Sequence, residues 1–166
     1  DALTWGDLGL KGAWADKPIS LYGRNSASGT YGYFKEVALF GGDYKDTVKE
    51  QPGSSAVVQG VASDKYGMGY SGVGYKTADV RIVPLAVKEG ACFDATAENA
   101  YSGDYPLARF LYVYLNKNPN EKMDPLRAEF IKYVFSKQGQ QVVIKDGFYP
   151  VSRAMADEDL QTLGIK

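Results

Sequence analysis

The apolar positions in the first part of the chain change between the spacing of strands and that of helices. Tyr31, Phe34 and Ala38 recur at helical intervals, so that one face of this segment can pack against a sheet. The predicted elements of this part are a strand at residues 19–22, helices at residues 30–40 and 56–64, an exposed loop at residues 43–52 and a short strand at residues 68–71. Strands that alternate with helices are typical of the α/β class.

The apolar pattern continues to the end of the chain. Residues 110–115 are apolar without interruption, which predicts that the strand at residues 109–116 is buried on both faces. Asp124 followed by Pro125 is the pattern of a helix start. Further predictions are a strand at residues 80–87, a helical turn at residues 96–100, a helix from residue 125, a shorter helix at residues 138–145 and a last helical turn at residues 157–163.

A polar, glycine-containing loop separates the first predicted strand from the first predicted helix. Residues 23–30 read Gly-Arg-Asn-Ser-Ala-Ser-Gly-Thr and contain no carboxylate. If Thr30 opens the helix, unpaired N–H groups lie at the positive end of the helix dipole, where anions bind. Ser28 and Thr30 add hydroxyl donors, Gly29 allows close approach to the backbone, and Arg24 can hold two oxyanion oxygens. The loop therefore predicts an anion site.

An ordinary helix cap is the alternative interpretation of the same residues. Ser and Thr satisfy the free N–H groups of a first turn, and Gly suits a tight turn. The arginine four residues before Ser28 has no role in capping, and it favours the anion site.

The loop also resembles a known ligand loop. Gly-Arg-x-x-x-Ser-Gly-Thr before an aromatic helix is similar to the loop of the phosphate-binding proteins of bacterial phosphate ABC transporters, which are PstS-type, type II periplasmic binding proteins. Other stretches resemble the same family in the same order. These are Trp-Gly-Asp-Leu-Gly at residues 5–9, residues 60–71, the segment at residues 105–117 and the closing stretch at residues 136–151.

The resemblance implies a fold and a site. The fold is one lobe of a type II periplasmic-binding-protein fold, with a mixed sheet flanked by helices plus C-terminal helices. Residues 1–166 would form a single α/β domain, the second lobe and C-terminal part of a two-lobed protein that lacks its N-terminal lobe. The implied phosphate ligands are Arg24, Ser28, Gly29 and Thr30. Arg109 is a weaker candidate for the rim of the cleft.

One position departs from the family pattern. Some members place an Asp two residues after the loop arginine, where it orients the guanidinium; here that position is Ser26. In the family, an Asp on the other lobe accepts the phosphate proton and rejects sulfate. No residue of this chain is assigned that role from the sequence, so discrimination between phosphate and sulfate stays open.

Composition limits the classes of function. The chain has 19 basic and 20 acidic residues and a net charge of −1, which gives no general attraction for nucleic acid. It has no histidine and one cysteine, Cys92, which we expect to be buried. Histidine-based triads and cysteine-rich metal sites are therefore excluded, and we predict a non-enzymatic protein without cofactor or metal. No stretch approaches the roughly 18 apolar residues of a membrane span.

The resemblance implies partners and a location. The expected partners are the phosphate ion and the membrane permease of an ABC transporter, in the periplasm or cell envelope. The protein would be secreted, with a signal peptide that is not present in this chain. A lobe without its partner would leave apolar surface uncovered, which predicts self-association. The alternatives are a receptor for sulfate or molybdate, or an interaction or adhesion module that uses the 13 tyrosines.

Overall fold

The computed structural model describes residues 2–165. Their contacts form two compact units, one that ends at Arg109 and one that begins at Phe110. The single domain over residues 1–166 stays a prediction.

The first unit is built on a three-stranded parallel sheet. Its strands are β1 (Ser20–Arg24), β2 (Lys49–Gln51) and β3 (Gly67–Gly69), in the order β2-β1-β3. Tyr22 of the central strand faces Lys49 on one side and Gly69 on the other. The α/β class is confirmed. The sheet was expected to be mixed, and its described strands are all parallel.

Two helices connect the strands of this sheet. Helix α1 (Gly29–Val37) joins β1 to β2, and helix α2 (Ser54–Ser63) joins β2 to β3. The two connections run in opposite directions across the sheet, so the right-handed crossover rule places the helices on opposite faces. Val57 and Val58 of α2 are buried, and they form the described apolar core of this unit.

Helix α2 approaches the central strand closely at Gly60. A Cβ atom at this position would lie 2.5 Å from the Tyr22 ring, so only glycine allows the observed packing. The Tyr22 hydroxyl in turn donates a hydrogen bond to Asp64, the residue after α2. Gly60 therefore sets the distance between the helix and the sheet.

The rest of the first unit contains short elements. Trp5, Trp14 and Tyr66 pack edge to face beside the amino end of the sheet, and the Trp5 indole donates to the Tyr66 carbonyl. The predicted helical turn at residues 96–100 is confirmed as α3 (Ala97–Ser102), which Thr96 caps. Two single 3-10 turns lie at Gly12–Trp14 and Val73–Tyr75.

The second unit is helical in its described secondary structure. Its helices are α4 (Pro125–Phe135), α5 (Lys137–Lys145) and α6 (Arg153–Thr162). Asp124, Ser136 and Ser152 cap them by accepting hydrogen bonds from first-turn N–H groups. The helices at 125 and 138–145 are confirmed, and the predicted turn at 157–163 begins earlier, because Ser152 caps a full helix.

Several predictions from apolar pattern alone are wrong. Residues 109–116 form no strand ladder with any described residue, and the apolar side chains of residues 110–114 are exposed, Tyr114 to 92%. An apolar run becomes a buried strand only where another strand pairs with it. Residues 80–87 contribute only an isolated bridge, between Leu85 and Phe93. Cys92 is exposed rather than buried.

Strand β2 was not predicted, because its residues lack the apolar pattern of a strand. Its three residues, Lys49–Gln51, are charged or polar and fall within the predicted loop at residues 43–52. Backbone pairing with β1 forms this short edge strand, and apolar side chains contribute little to it. In the part of the chain that the structure describes, no helix has the length and apolar character to cross a membrane.

Replacing Gly60 by alanine should destabilise the first unit. The added methyl would overlap the Tyr22 ring, and overpacking of this kind costs about 1–3 kcal/mol in the free energy of unfolding. Gly32→Ala, in α1, is the matched control: nothing lies within 4 Å of the new methyl, and the variant should gain about 0.5–1 kcal/mol from helix propensity. Urea denaturation of both variants measures the difference. Equal stabilities would contradict the close packing.

Asp64 should make stability depend on acid pH. Hydrogen bonds from the Ser20 hydroxyl and the Tyr66 N–H lower the pKa of this carboxyl below its ordinary 3.8. A lowered pKa stabilises the fold above the unfolded-state pKa, and the contribution is lost as pH falls through the folded-state value. Asp64→Asn should therefore be less stable than the parent at neutral pH, and the gap should close below pH 3.8. Urea titrations across this range test the expectation, with the exposed Asp46→Asn as control.

Candidate anion-binding site

The starts of α1 and α2 lie at one edge of the sheet. Strand β1 ends at Arg24 and β2 ends at Gln51, and each helix begins a few residues later. Because the strands are parallel, both helix N-termini are at the carboxyl edge, where α/β proteins bind ligands. The Asn25 N–H donates to the Gln51 carbonyl and extends the pairing to this edge.

The first turn of α1 carries three of the predicted ligands. Ser28 is the N-cap and is 8% exposed; its Oγ accepts hydrogen bonds from the N–H groups of Thr30 and Tyr31, at 3.1 and 3.4 Å. A hydroxyl oxygen that accepts keeps its own proton for donation to a further partner. The hydrogen bonds of the described residues include none from the Gly29 N–H. The cap and the anion site are thus compatible uses of one turn.

The guanidinium of Arg24, the last residue of β1, lies at the start of α2. Its Nη1 donates to Ser54 Oγ at 2.7 Å, and its Nη2 donates to the Pro52 carbonyl at 3.4 Å. Nε is buried and has no partner among the described residues. None of the described bonds joins this guanidinium to Ser28 or Thr30, so the four-residue site stays a prediction.

Tyr70 holds the end of β1. Its hydroxyl accepts from the Arg24 N–H at 3.1 Å and donates to the Arg24 carbonyl at 3.4 Å. A Cβ at Gly23 would lie 2.9 Å from the Tyr70 ring, so glycine is required here. The ring also stacks on Phe34 of α1, with centroids 4.1 Å apart. Tyr70 therefore positions the Arg24 backbone relative to α1.

Arg109 is the second arginine near this edge. Its Nη2 lies 3.8 Å from the place where a Cβ of Gly29 would be, and its guanidinium is 5.2 Å from the centre of the Tyr33 ring. The Tyr33 hydroxyl donates to the Ala108 carbonyl at 2.9 Å, which fastens the adjoining backbone to α1. The structure thus brings Arg109 to the first turn of α1, while Arg24 bonds the start of α2.

The electrostatics of this edge favour an anion. Neither Arg24 nor Arg109 forms an ion pair with a carboxylate of the described residues. A cation at a helix N-terminus faces the positive end of the dipole, an unfavourable arrangement that an anion would reverse. Burial raises the pKa of the Tyr33 hydroxyl, and the Arg109 charge opposes that shift. The described residues contain no cluster of side chains suited to a metal ion.

Sequence analysis missed two residues of this edge. Ser54 was not assigned to the site from the sequence; its hydroxyl accepts a hydrogen bond from Arg24, and Gly53 is the N-cap of α2. Tyr70 was placed in a strand with no role. The sequence feature that belongs to this role is Gly23, which leaves room for the Tyr70 ring. That contact can be recognised only when the alignment of the strands is known.

Comparison with known proteins gives the family. The model of the PBP superfamily domain matches residues 2–138, which is most of the chain. The chain belongs to the PBP superfamily. The α/β fold predicted from the pattern agrees with this PBP assignment.

Within the PBP superfamily, the chain is similar to proteins named PstS. The chain is 58% identical over 166 residues to the phosphate-binding protein PstS of Pseudomonas aeruginosa, covering 99% of this chain and 51% of that protein. It is 31% identical to PstS of Staphylococcus haemolyticus, covering 84% of this chain and 44% of that protein. The chain therefore spans about half the length of these curated relatives. Its predicted resemblance to PstS-type proteins is confirmed.

Solved structures of phosphate-binding proteins have a fold similar to that of this chain. A Clostridium perfringens protein, assigned as the substrate-binding protein of a phosphate ABC transporter and solved with bound phosphate, matches with a TM-score of 0.72 and 26% identity. The match covers 91% of this chain and 58% of that one. A phosphate-binding protein of a phosphate ABC transporter from Streptococcus pneumoniae matches with a TM-score of 0.59 and 28% identity, covering 79% and 51% of the two chains.

Removing the Tyr70 hydroxyl should weaken the end of β1. Tyr70→Phe keeps the stacked ring but leaves the Arg24 N–H without its partner, at a cost of about 1–2 kcal/mol in the free energy of unfolding. Tyr114→Phe removes a hydroxyl from a side chain that is 92% exposed, and it should change stability by less than about 0.5 kcal/mol. Urea unfolding compares the two. A neutral Tyr70→Phe would show that the hydroxyl does not hold the strand.

Proposed function

We propose that the chain binds inorganic phosphate, as part of the substrate-binding component of a phosphate ABC transporter. The observation that carries the proposal is the start of α1, where Ser28, Gly29 and Thr30 present donors in a first turn that contains no acidic residue. The names of the PstS relatives and the phosphate bound in the matched structure support it.

The proposed ligand residues are those predicted from the sequence. The Ser28 hydroxyl, the Gly29 N–H and the Thr30 hydroxyl would contact the phosphate oxygens. Arg24 would join them, since a guanidinium has five N–H donors and its described bonds use two. The Ser54 and Pro52 contacts hold this side chain at the carboxyl edge. They take the orienting role that an Asp at position 26 has in other family members.

We expect weak binding by this chain alone. A charge-assisted hydrogen bond contributes about 1.5–3 kcal/mol, whereas association costs about 4–15 kcal/mol. Four or five such bonds leave a small net gain, and a Kd of about 1 mM corresponds to −4.1 kcal/mol. The relatives are about twice as long as this chain, and donors elsewhere in such a protein would tighten the site.

The remaining parts of the proposal follow from the binding role. The protein would act without catalysis and without a cofactor, and it would deliver phosphate to a membrane permease from the periplasm or cell envelope. Nucleic acid is not an expected partner at a net charge of −1. Self-association stays a prediction, supported by exposed apolar side chains such as Leu111 and Leu126.

Two alternatives compete with phosphate. Sulfate or molybdate would use the same donors, since the named residues contain no proton acceptor that tells a protonated oxyanion from an ionised one. The adhesion module has less support, because many tyrosines pack within the first unit: Tyr22, Tyr31, Tyr33, Tyr44, Tyr66 and Tyr70.

Amide NMR should detect the proposed binding. Titration of the 15N-labelled chain with inorganic phosphate should shift the Gly29 and Thr30 signals, with a millimolar Kd, while potassium chloride at equal ionic strength should not. Arg24→Ala and Ser28→Ala should each weaken binding about tenfold or more, as expected for loss of one charge-assisted bond.

The control for Ser28→Ala is the same substitution at another helix cap, Ser152. Ser152→Ala removes the cap of α6 and costs a similar 1 kcal/mol or so of stability. It should leave phosphate binding unchanged. An absence of shifts at Gly29 and Thr30 in millimolar phosphate would refute the proposed site, and an equal response to sulfate would favour a general oxyanion receptor.

A further inference from the structure

A second guanidinium stands over the same helix turn as the proposed ligands. Arg109 Nη2 lies 3.8 Å from the place where a Cβ of Gly29, the first residue of α1, would be. Its side chain is exposed, and the described hydrogen bonds include none from its guanidinium. The described hydrogen bonds therefore use neither its N–H donors nor the N–H of Gly29.

The position of Arg109 is built by two contacts with Tyr33. The guanidinium lies over the face of the Tyr33 ring, at 5.2 Å from its centre, in a cation–π arrangement. The Tyr33 hydroxyl bonds the carbonyl of Ala108, the preceding residue. Ring and hydroxyl together hold both the side chain and the backbone beside α1, so the arginine is not a freely moving surface residue.

The charge of Arg109 has no partner in the part of the chain that the structure describes. Its guanidinium lies over an aromatic face and close to the positive end of a helix, and no carboxylate of the described residues pairs with it. The aromatic face stabilises the cation, whereas the helix end repels it. An anion between Arg109 and the first turn would satisfy both the guanidinium and the free N–H group.

We propose that Arg109 is a further phosphate-binding residue, which contacts the anion from the side of Tyr33 while Arg24 contacts it from the start of α2. The inference rests on the proposed function, and it adds a ligand that the Ser-Gly-Thr loop motif does not contain. Tyr33 is then a positioning residue, which acts through the arginine. A tetrahedral anion would be held by two guanidinium groups and one helix turn.

The test compares the charge of Arg109, which lies beside the first turn of α1, with a charge carried by α1 itself. Arg109→Gln should raise the phosphate Kd about tenfold at low ionic strength, equivalent to about 1.4 kcal/mol. Arg109→Lys keeps the charge without the two-pronged donor, and it should recover part of the affinity. Lys35→Gln is the matched control: it removes an equal charge on α1, about 9 Å further along the helix axis by helical rise, and it should change the Kd less than twofold.

Salt dependence separates a direct contact from a structural effect. The difference between parent and Arg109→Gln should shrink as potassium chloride is added, because an exposed charge is screened. Tyr33→Leu, which removes the platform but not the charge, should weaken binding by a smaller factor. Circular dichroism confirms that each variant is folded.

The outcomes distinguish the two proposals. A parent chain that shows no phosphate response at Gly29 and Thr30 would refute the proposed function. A parent that binds, together with Arg109→Gln of unchanged affinity, would overturn only the role of Arg109. A loss of affinity that salt does not reduce would also overturn it, because the effect would then be structural.

Discussion

The contact between Tyr70 and the end of β1 determines how the candidate site is arranged. The tyrosine hydroxyl takes up both backbone groups of Arg24, at a point where the pairing with β3 has ended and only β2 still lies alongside. It can do so only because Gly23 leaves room for the ring. The same ring stacks on Phe34 of α1, so Tyr70 contacts both the end of β1 and the helix that follows the loop. Without this contact, the loop at residues 23–30 would connect two elements whose spacing was not defined.

Unpaired positive charge is the second constraint on this edge. Helix N-termini and guanidinium groups repel each other, and proteins normally place carboxylates at such positions. Here Ser28 supplies a neutral cap, and the first turn of α1 contains no acidic residue. This cap pairs the N–H groups of Thr30 and Tyr31 without neutralising the arginines. At a net charge of −1 the whole chain has no general attraction for anions, so the proposed binding would depend on these few residues.

Much of the fold could be predicted from the sequence. The strand before the loop, α1, α2, α4 and α5 were predicted because capping residues and helical periodicity are local signals. Strand β2 and the fate of residues 109–116 were not, because both depend on which backbone lies alongside. Charged Lys49–Gln51 pairs with β1, whereas the most apolar run in the chain pairs with no described residue. A strand is a property of two segments, and a single sequence window contains only one of them.

The candidate site was predicted only in part for the same reason. Ser28, Gly29 and Thr30 are neighbours in sequence, so one motif was enough to place them in one turn. Arg24 bonds Ser54, which lies 30 residues away, and Arg109 reaches Gly29 from the far end of the first unit. These contacts depend on the alignment of β1 with β2 and on the packing of Tyr33 against Arg109. Neither produces a pattern among residues that are close in the sequence.

Arg109 is also the last residue of the first unit, and the peptide bond after it leads directly into the second. A bound anion that contacts this guanidinium would therefore add to the Tyr33 contacts that hold the last residues of the first unit beside α1. Thermodynamic linkage makes the effect mutual: conformations that carry Arg109 away from Tyr33 would release the ligand more readily. Occupancy of the proposed anion site and attachment of this segment to α1 would then be one equilibrium.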